Sequence, residues 1–150
     1  MIATAGILLL GGCHPPLDHG CSPSCFSRRA YPHAGSNDIN DGKTPQQVLE
    51  DFKTFVNEVT RKLGNLEIAF ISIAGNPARW SQIERVREAN ALVASYAKEN
   101  RHVEFIDVFS HMMAPNGLPK PDIFIDDRLH MNEKGYKIWR AIVAPYVMKR

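Results

Sequence analysis

Two short apolar runs separated by an amphipathic helix constrain the fold of this chain most strongly. Residues 67–73 read E-I-A-F-I-S-I and residues 102–108 read H-V-E-F-I-D-V. Short runs of consecutive apolar residues are typical of strands buried on both faces. Between the runs, residues recur at helical spacing as far as about Asn100, namely Ile83, Val86, Asn90, Val93 and Ala97. This order of strand, helix and strand predicts a parallel sheet covered by helices, and therefore an α/β fold.

A longer helix precedes the first run, and both of its ends carry sequence signals. Thr44 is predicted to cap it, Pro45 suits the first helical position, and Gln47 can complete a capping box. The residues that follow form one apolar stripe, namely Val48, Phe52, Phe55, Val56, Val59 and Leu63. Gly64 is a natural stop after this stripe.

The other helix boundaries are predicted from similar signals. Ser81 and Glu84 form a second capping box, which predicts the start of the middle helix. The last helix is predicted to begin near Asn132, and Pro145 is expected to kink or end it, since proline removes a helical hydrogen bond. These boundaries place each helix between or after the predicted strands.

Length and composition exclude several classes of function. The chain has 150 residues, which suits one domain. Its formal net charge of +2 is too small to indicate a nucleic acid or an anionic membrane as a partner. No apolar stretch approaches the roughly 20 residues that a membrane-spanning helix needs. We find no cofactor motif, so the sequence predicts no cofactor, no nucleic-acid partner and no membrane span.

The first 33 residues differ from the remainder, since they hold all three cysteines and show no periodicity after Leu10. We predict an irregular segment at 1–33 and a folded domain at 34–150. The sequence Leu10-Gly11-Gly12-Cys13 looks like the lipid-attachment box of an exported bacterial lipoprotein. However, a signal peptide requires a positively charged region before its apolar stretch. No Lys or Arg precedes the apolar stretch here. A cytoplasmic location and export with an anchor at Cys13 therefore both stay open.

The same segment combines cysteines with histidines, which raises the question of a metal site. The residues concerned are Cys13, His14, His19, Cys21 and Cys25. Their spacing fits no standard zinc module, and no pair has the Cys-x-x-Cys form. The sequence therefore predicts no metal site.

Two distant segments carry side chains suited to acyl transfer. Asp127 and His130 stand just before the last helix, and a carboxylate that accepts from one imidazole nitrogen fixes the tautomer that a general base needs. Far upstream, the predicted tight turn at Gly35–Asp38 contains Asn37, whose amide can donate to an oxyanion. Both segments are expected beyond the carboxyl ends of strands, where parallel sheets bind ligands. A capped turn at Asp127, a surface His130 and plain turn composition at Asn37 are the structural alternatives.

Together these segments resemble two motifs of the SGNH, or GDSL-type, hydrolase family. The family's Gly-x-Asn-Asp block falls on Gly35–Asp38 and its Asp-x-x-His block falls on Asp127–His130. The resemblance extends from about Ala34 to the C-terminus. It implies a three-layer α/β/α sandwich around a parallel sheet, of flavodoxin-like type. It also implies an ester hydrolase for small-molecule esters, with His130 as base, Asp127 as its orienting carboxylate and Asn37 as oxyanion donor.

The nucleophilic serine of that family has no clear counterpart in this sequence. The family places it in a Gly-Asp-Ser turn after the first strand, whereas no apolar strand precedes Ser22, Ser24 or Ser27. Ser36 lies inside the Asn block, and in the family arrangement it points away from the base. A catalytically inactive or truncated domain without a nucleophile is therefore the alternative to an active esterase.

The segment before Gly35 also departs from the family pattern. Pro32 stands where a central strand needs a donor for its ladder, and our hypothesis is that residues 1–33 are foreign to the fold. A sheet without its first strands exposes an apolar edge, which predicts self-association through that edge. Arg79, Trp80 and the loop at 112–121 are further candidates to line a substrate pocket, with turn and core roles as their alternatives.

Overall fold

The structure, a computed structural model, describes residues 29–32, 34–64 and 66–148. Cys13, with the other cysteines and histidines considered for a metal, lies outside the described residues, as do Ser22, Ser24 and Ser27. The predictions made for them stay predictions, and so does the division of the chain between residues 33 and 34. Across the described ranges, no helix combines the length and the apolar character needed to span a bilayer.

Three short parallel strands form the sheet that the structure describes. They are β1 (Arg29–Ala30), β2 (Glu67–Ile71) and β3 (Val103–Ile106), in the order β1-β2-β3. The register pairs Arg29 with Glu67 and Ile68 with Val103. The parallel sheet and both predicted strands are confirmed. β1 ends before Pro32, as expected for a residue without a backbone donor. Self-association through the sheet edge stays a prediction.

The end of β2 differs from the prediction, because the strand stops at Ile71 rather than Ile73. The Ile73 N–H donates to Oδ1 of Asn90 at 2.8 Å, and the Ile73 carbonyl accepts from Nδ2 of Asn90 at 2.9 Å. Both residues are buried. The carboxamide of Asn90 thus takes the place of a neighbouring strand and satisfies both polar groups of the Ile73 backbone.

The helices fall between and after the strands as predicted. They are α1 (Ser36–Asn40), α2 (Pro45–Leu63), α3 (Ile83–Glu99), α4 (Phe109–Met112) and α5 (Glu133–Val147), with 3-10 helices at Pro77–Gln82 and Pro121–Ile123. The predicted capping box of α2 is confirmed. Oγ1 of Thr44 accepts from the Gln47 N–H at 3.2 Å, and Oε1 of Gln47 accepts from the Thr44 N–H at 2.8 Å.

The predicted capping box at Ser81 was wrong. Ser81 lies inside the 3-10 helix at Pro77–Gln82, where the backbone is already helical, and no side chain caps α3. The cap stands earlier, since Oδ1 of Asn76 accepts from the Arg79 N–H at 3.0 Å. Pro45 and Pro77 both occupy first helical positions, so Asn76-Pro77 was the better start signal.

Two other local predictions need correction. The segment predicted as a tight turn after Gly35 is the start of α1, which buries Ile39. At the other end of the chain, α5 continues two residues beyond Pro145 to Val147. The proline is exposed and stands in the last turn, where few helical bonds remain to be lost.

Alternate residues of β2 divide the core between the two faces of the sheet. Ile68 and Phe70 belong to the cluster packed by α2 and α3, whereas Ala69 and Ile71 belong to the cluster packed by α5. Helices therefore cover both faces, and the three-layer α/β/α arrangement is confirmed. The loops beyond the strand ends carry the candidate site.

Candidate active site

Asp127 and His130 contact each other in the loop before α5. Nδ1 of His130 lies 2.5 Å from Oδ2 of Asp127. The other carboxylate oxygen, Oδ1, accepts from the backbone N–H groups of Leu129 and His130, each at 2.9 Å. The predicted pair therefore meets within one turn, and the carboxylate both orients the imidazole and closes the turn.

The charge of Asp127 is held by the same contacts. The hydrogen bond from His130, followed by the backbone N–H groups of His130 and Leu129, lowers the pKa of the Asp127 carboxyl to about 2. Ionised Asp127 only accepts, so the proton of the imidazole is placed on Nδ1. Nε2 is left with its lone pair, as a general base requires. His130 is exposed, with 68% of its side-chain surface accessible.

Acid should weaken the fold through this carboxylate. A lowered folded-state pKa contributes stability above the unfolded pKa of about 3.9, and the contribution is lost as pH falls toward the folded value. We expect the free energy of unfolding of the wild type to exceed that of Asp127→Asn at neutral pH. The difference should shrink between about pH 4 and pH 2.

Urea unfolding at a series of pH values measures this difference. Asp126→Asn is the matched control, because Asp126 is the exposed neighbour in sequence. A difference between the wild type and Asp127→Asn that does not change with pH would contradict the lowered pKa.

Asn132 connects the loop at 127–130, which carries the candidate base His130 and is called the base loop below, to α5. Its Oδ1 accepts from the N–H groups of Lys134 at 2.9 Å and Gly135 at 3.2 Å, which caps the helix. Its Nδ2 donates to the carbonyls of Asp122 at 2.8 Å and Phe124 at 3.1 Å. One side chain thus connects the helix start with the segment that runs before the loop.

Asn132→Ala should lower the free energy of unfolding by about 1–3 kcal/mol, because it removes both the cap and the amide donors. Asn132→Ser keeps a cap acceptor and loses the donors, without placing a carboxylate against the carbonyls of Asp122 and Phe124, so we expect a smaller loss. Thermal or urea unfolding of the two variants separates the contributions. Equal losses in both variants would show that the cap contributes nothing.

Gly135 lets α5 approach this segment closely. A Cβ built on Gly135 would lie 2.6 Å from the Ile123 carbonyl oxygen and 2.9 Å from Cβ of Met131. No side chain fits at such distances from a backbone atom. The glycine thereby fixes how near the first turn of α5 stands to the base loop.

Asn37 is positioned by the start of α1. Gly35 has φ 107°, and a Cβ there would lie 2.5 Å from Cδ1 of buried Ile73, so the turn needs glycine. Oδ2 of Asp38 accepts from the Gly35 N–H at 3.1 Å. Oδ1 of Asp38 pairs with Lys43 at 2.8 Å. The hydrogen bonds to Asp38 and Asp51 raise the pKa of Lys43.

Arg79 contacts the residues at the start of α1. Its Nη1 donates to Oδ1 of Asn37 at 2.9 Å, to Oγ of Ser36 at 3.0 Å and to the Ser36 carbonyl at 3.1 Å. These residues are 42 and 43 positions apart in sequence. The contacts were not predicted, since nothing in the sequence pairs an arginine with such distant neutral oxygens.

An open pocket of about 240 Å³ brings the two halves of the site together. Asn37, Arg79 and His130 all line it, and among the residues that the structure describes no Asp or Glu does. The remaining lining residues are Ser36, Ala74, Asn76, Met112, Phe124, Leu129, Met131, Tyr136 and Trp139. Of the further candidates named from the sequence, Arg79 lines the pocket, and so does Met112 at the start of the loop at 112–121. Trp80 packs instead against the core on the α2 and α3 face.

The structure places Ser36 on the pocket wall but in contact with Arg79 rather than with His130. No hydrogen bond joins Ser36 to His130 in the part of the chain that the structure describes. Within that same part, no group of three or more His, Cys, Asp or Glu side chains is arranged to hold a metal ion.

Comparisons with known proteins identify the family and the fold. The sequence matches the GDSL-like Lipase/Acylhydrolase family over residues 26–138. The resemblance judged from the motifs begins at about Ala34, and the family match begins eight residues earlier, at residue 26. Comparison with curated proteins gives no significant match.

Three solved structures have a similar fold. A Streptococcus pneumonia protein described as a candidate platelet activating factor has a TM-score of 0.71 at 23% identity, covering 79% of this chain and 59% of that one. The OSK domain of Drosophila Oskar has a TM-score of 0.70 at 18% identity, covering 82% and 63%. A GDSL-like lipase from Bacteroides thetaiotaomicron has a TM-score of 0.66 at 18% identity, covering 78% and 60%.

At these identities the likeness shows the fold alone, and the chain spans about 60% of the length of the structures it matches. The family match carries more weight. Because it runs from residue 26 to residue 138, over more than half of the sequence, the chain belongs to the GDSL-like lipase/acylhydrolase family.

Proposed function

We propose that this protein hydrolyses small carboxylic esters, with His130 as general base, Asp127 as its orienting carboxylate and Asn37 as oxyanion donor. The observation that carries the proposal is that His130, hydrogen-bonded to Asp127, lines the same pocket as Asn37. A base with a free Nε2 and a nearby neutral donor suit acyl transfer.

In the proposed reaction, Nε2 of His130 takes the proton of an attacking hydroxyl. At the same time, the oxygen of that hydroxyl bonds to the carbonyl carbon of the ester. The π electrons of the carbonyl move onto its oxygen, and the Asn37 amide donates to the resulting anion. The intermediate then collapses, the bond to the alcohol oxygen breaks, and the leaving alkoxide takes the proton back from His130. A serine nucleophile gives an acyl-enzyme that water opens by the same steps, whereas a water nucleophile releases the acid directly.

Small, short acyl groups suit the pocket best. Its volume is about 240 Å³, and Met112, Phe124, Met131 and Trp139 give part of its wall an apolar character. An apolar wall accepts an acyl chain, while Asn37 and His130 supply the polar groups that orient the ester. The proposed reaction draws on no cofactor.

The alternative is a domain that keeps the fold and the pocket but turns over no ester. The position of Ser36 favours this alternative. Its hydroxyl accepts a hydrogen bond from Arg79, whereas a nucleophilic serine would have its hydroxyl against His130. The two proposals predict different results in one experiment. Only the active enzyme hydrolyses esters at a rate that depends on the residues of the pocket.

Hydrolysis of p-nitrophenyl acetate and p-nitrophenyl butyrate by the purified protein tests the proposal. We expect turnover above the buffer rate, and a fluorophosphonate followed by mass spectrometry distinguishes the nucleophile. Inhibition with one labelled serine indicates an acyl-enzyme, whereas turnover that resists the reagent indicates activated water. A folded sample that hydrolyses neither ester contradicts the proposal and supports the inactive domain.

A further inference from the structure

We infer that Arg79 is a positioning residue that fixes the Asn37 carboxamide with its nitrogen free for an oxyanion, an inference that rests on the proposed function. The contact that carries it is the 2.9 Å hydrogen bond from Nη1 of Arg79 to Oδ1 of Asn37. Arg79 in this role acts through Asn37 and need not touch the reacting atoms.

The chemistry of the two groups fixes which end of the amide faces the arginine. A guanidinium only donates, so it faces the oxygen of a carboxamide and not the nitrogen. Rotating the amide of Asn37 by half a turn would place N–H groups against N–H groups. The oxygen is therefore held by Arg79, and the two N–H groups on Nδ2 are left without a hydrogen bond to any described residue.

Asn37 has little else to hold its side chain. It is exposed, and it stands in a helix of only five residues. An exposed carboxamide samples several rotamers and both amide orientations unless a partner selects one. An oxyanion donor, by contrast, is effective only when it is already aimed at the position where the charge develops.

Arg79 itself is held from two sides, and one of them is the base loop. Its backbone N–H donates to the cap Asn76, and the neighbouring Ala78 N–H donates to the Arg128 carbonyl at 3.1 Å. Arg128 lies between Asp127 and His130 and has φ 59°. The segment Asn76–Arg79 thus connects the loop of the proposed base to the side chain of the proposed oxyanion donor.

The guanidinium is not held by an acidic partner. Across the ranges that the structure describes, no ion pair involves Arg79, and the hydrogen bonds of its side chain go to neutral oxygens of Ser36 and Asn37. Its charge could also act directly on the oxyanion. A double-mutant cycle separates that direct effect from positioning, since only the direct effect survives removal of the Asn37 amide.

The cycle compares wild type, Arg79→Met, Asn37→Ala and the double variant in ester hydrolysis. We expect Arg79→Met to lower kcat by roughly 10- to 100-fold, less than the roughly 10²–10³-fold cost of losing an oxyanion donor, and to leave KM within about three-fold. In the Asn37→Ala background, Arg79→Met should lower kcat by no more than about two-fold. If Arg79→Met lowers kcat by the same factor in the wild type and in Asn37→Ala, the inference is overturned.

Arg85→Met is the matched control, because it removes the same charge from an exposed position on α3, and it should leave kcat unchanged. Methionine keeps much of the arginine stem, so the fold should persist, as thermal unfolding checks. If Arg79→Met does not fold, Arg79→Lys enters the same cycle, since it keeps the charge but replaces the planar guanidinium.

A spectroscopic measurement decides the inference even if no ester is hydrolysed. In ¹⁵N-labelled protein, the side-chain NH₂ signals of Asn37 are assigned by their loss in Asn37→Ala. We expect Arg79→Met to shift these signals and Arg85→Met to leave them in place. Unshifted Asn37 signals in folded Arg79→Met would overturn the positioning role, whereas shifted signals in a protein without esterase activity would contradict only the proposed function.

Discussion

We expect His130→Ala to lower ester hydrolysis by roughly 10²–10⁴-fold, the contribution of a positioned general base. Alanine removes Nε2, which is the group left with a free lone pair once Asp127 holds Nδ1 at 2.5 Å. The fold should be little affected, because the His130 side chain is largely exposed. The initial rate of p-nitrophenyl acetate hydrolysis measures the effect, with circular dichroism as the check on folding.

His102→Ala is the control for this prediction. His102 is exposed and directly precedes β3, so it stands at the opposite end of the strand from the loops that carry the site. Its substitution removes an imidazole without touching the pocket. If both variants keep the wild-type rate, the hydrolysis comes from surface groups and His130 is not its base.

Asp127→Asn complements the His130 variant. An amide in place of the carboxylate no longer selects the tautomer with its proton on Nδ1, and the loss in kcat is expected to approach that of His130→Ala. The pKa of the Asp127 carboxyl, lowered to about 2 by its hydrogen bonds from His130 and the loop backbone, keeps it charged throughout the assay range. An acid limb in the rate profile above about pH 4 therefore does not arise from Asp127.

The parts of the fold that follow local rules could be predicted from the sequence. The capping box at Thr44 and Gln47 and the apolar stripe behind it determine α2 within a single segment. The mostly apolar runs determine β2 and β3, because a strand buried on both faces leaves few polar positions. The Asp127–His130 contact was also predictable, since three residues in one turn bring their side chains together.

The parts that depend on distant residues could not be predicted in this way. The helix α1 has only five residues, too few to be stable by local propensity. It packs buried Ile39 into the core and is contacted by Arg79 from another segment. The Arg79–Asn37 bond joins residues 42 positions apart, a spacing without any sequence signal.

The prediction of self-association depends on the edge of the sheet next to β1. Strand β1 has only two residues, and short edge strands are one way in which proteins limit pairing with other chains. The chain spans about 60% of the structures that it resembles. Sedimentation or sizing of the purified protein measures the outcome directly.

Asn90→Leu is expected to destabilise the fold by about 2–4 kcal/mol, the largest effect on stability that we predict. Leucine has nearly the shape of asparagine, so the substitution creates little cavity. It removes both bonds to the Ile73 backbone and leaves a buried N–H and a buried carbonyl unpaired. Each unpaired buried group costs about 1–3 kcal/mol, which outweighs the gain from a more apolar side chain.

Thermal unfolding measures this effect as a lower transition temperature, by roughly 5–15 °C for a domain of this size. Asn57→Leu is the control, because Asn57 is an exposed asparagine on α2 and its replacement should change stability by less than about 0.5 kcal/mol. Equal stability of the two variants would mean that water satisfies the Ile73 backbone without Asn90. The destabilisation should also reach the site, because Ile73 leads through Gly75 into the Asn76 cap that holds Arg79, and a loosened cap weakens the hold on Asn37.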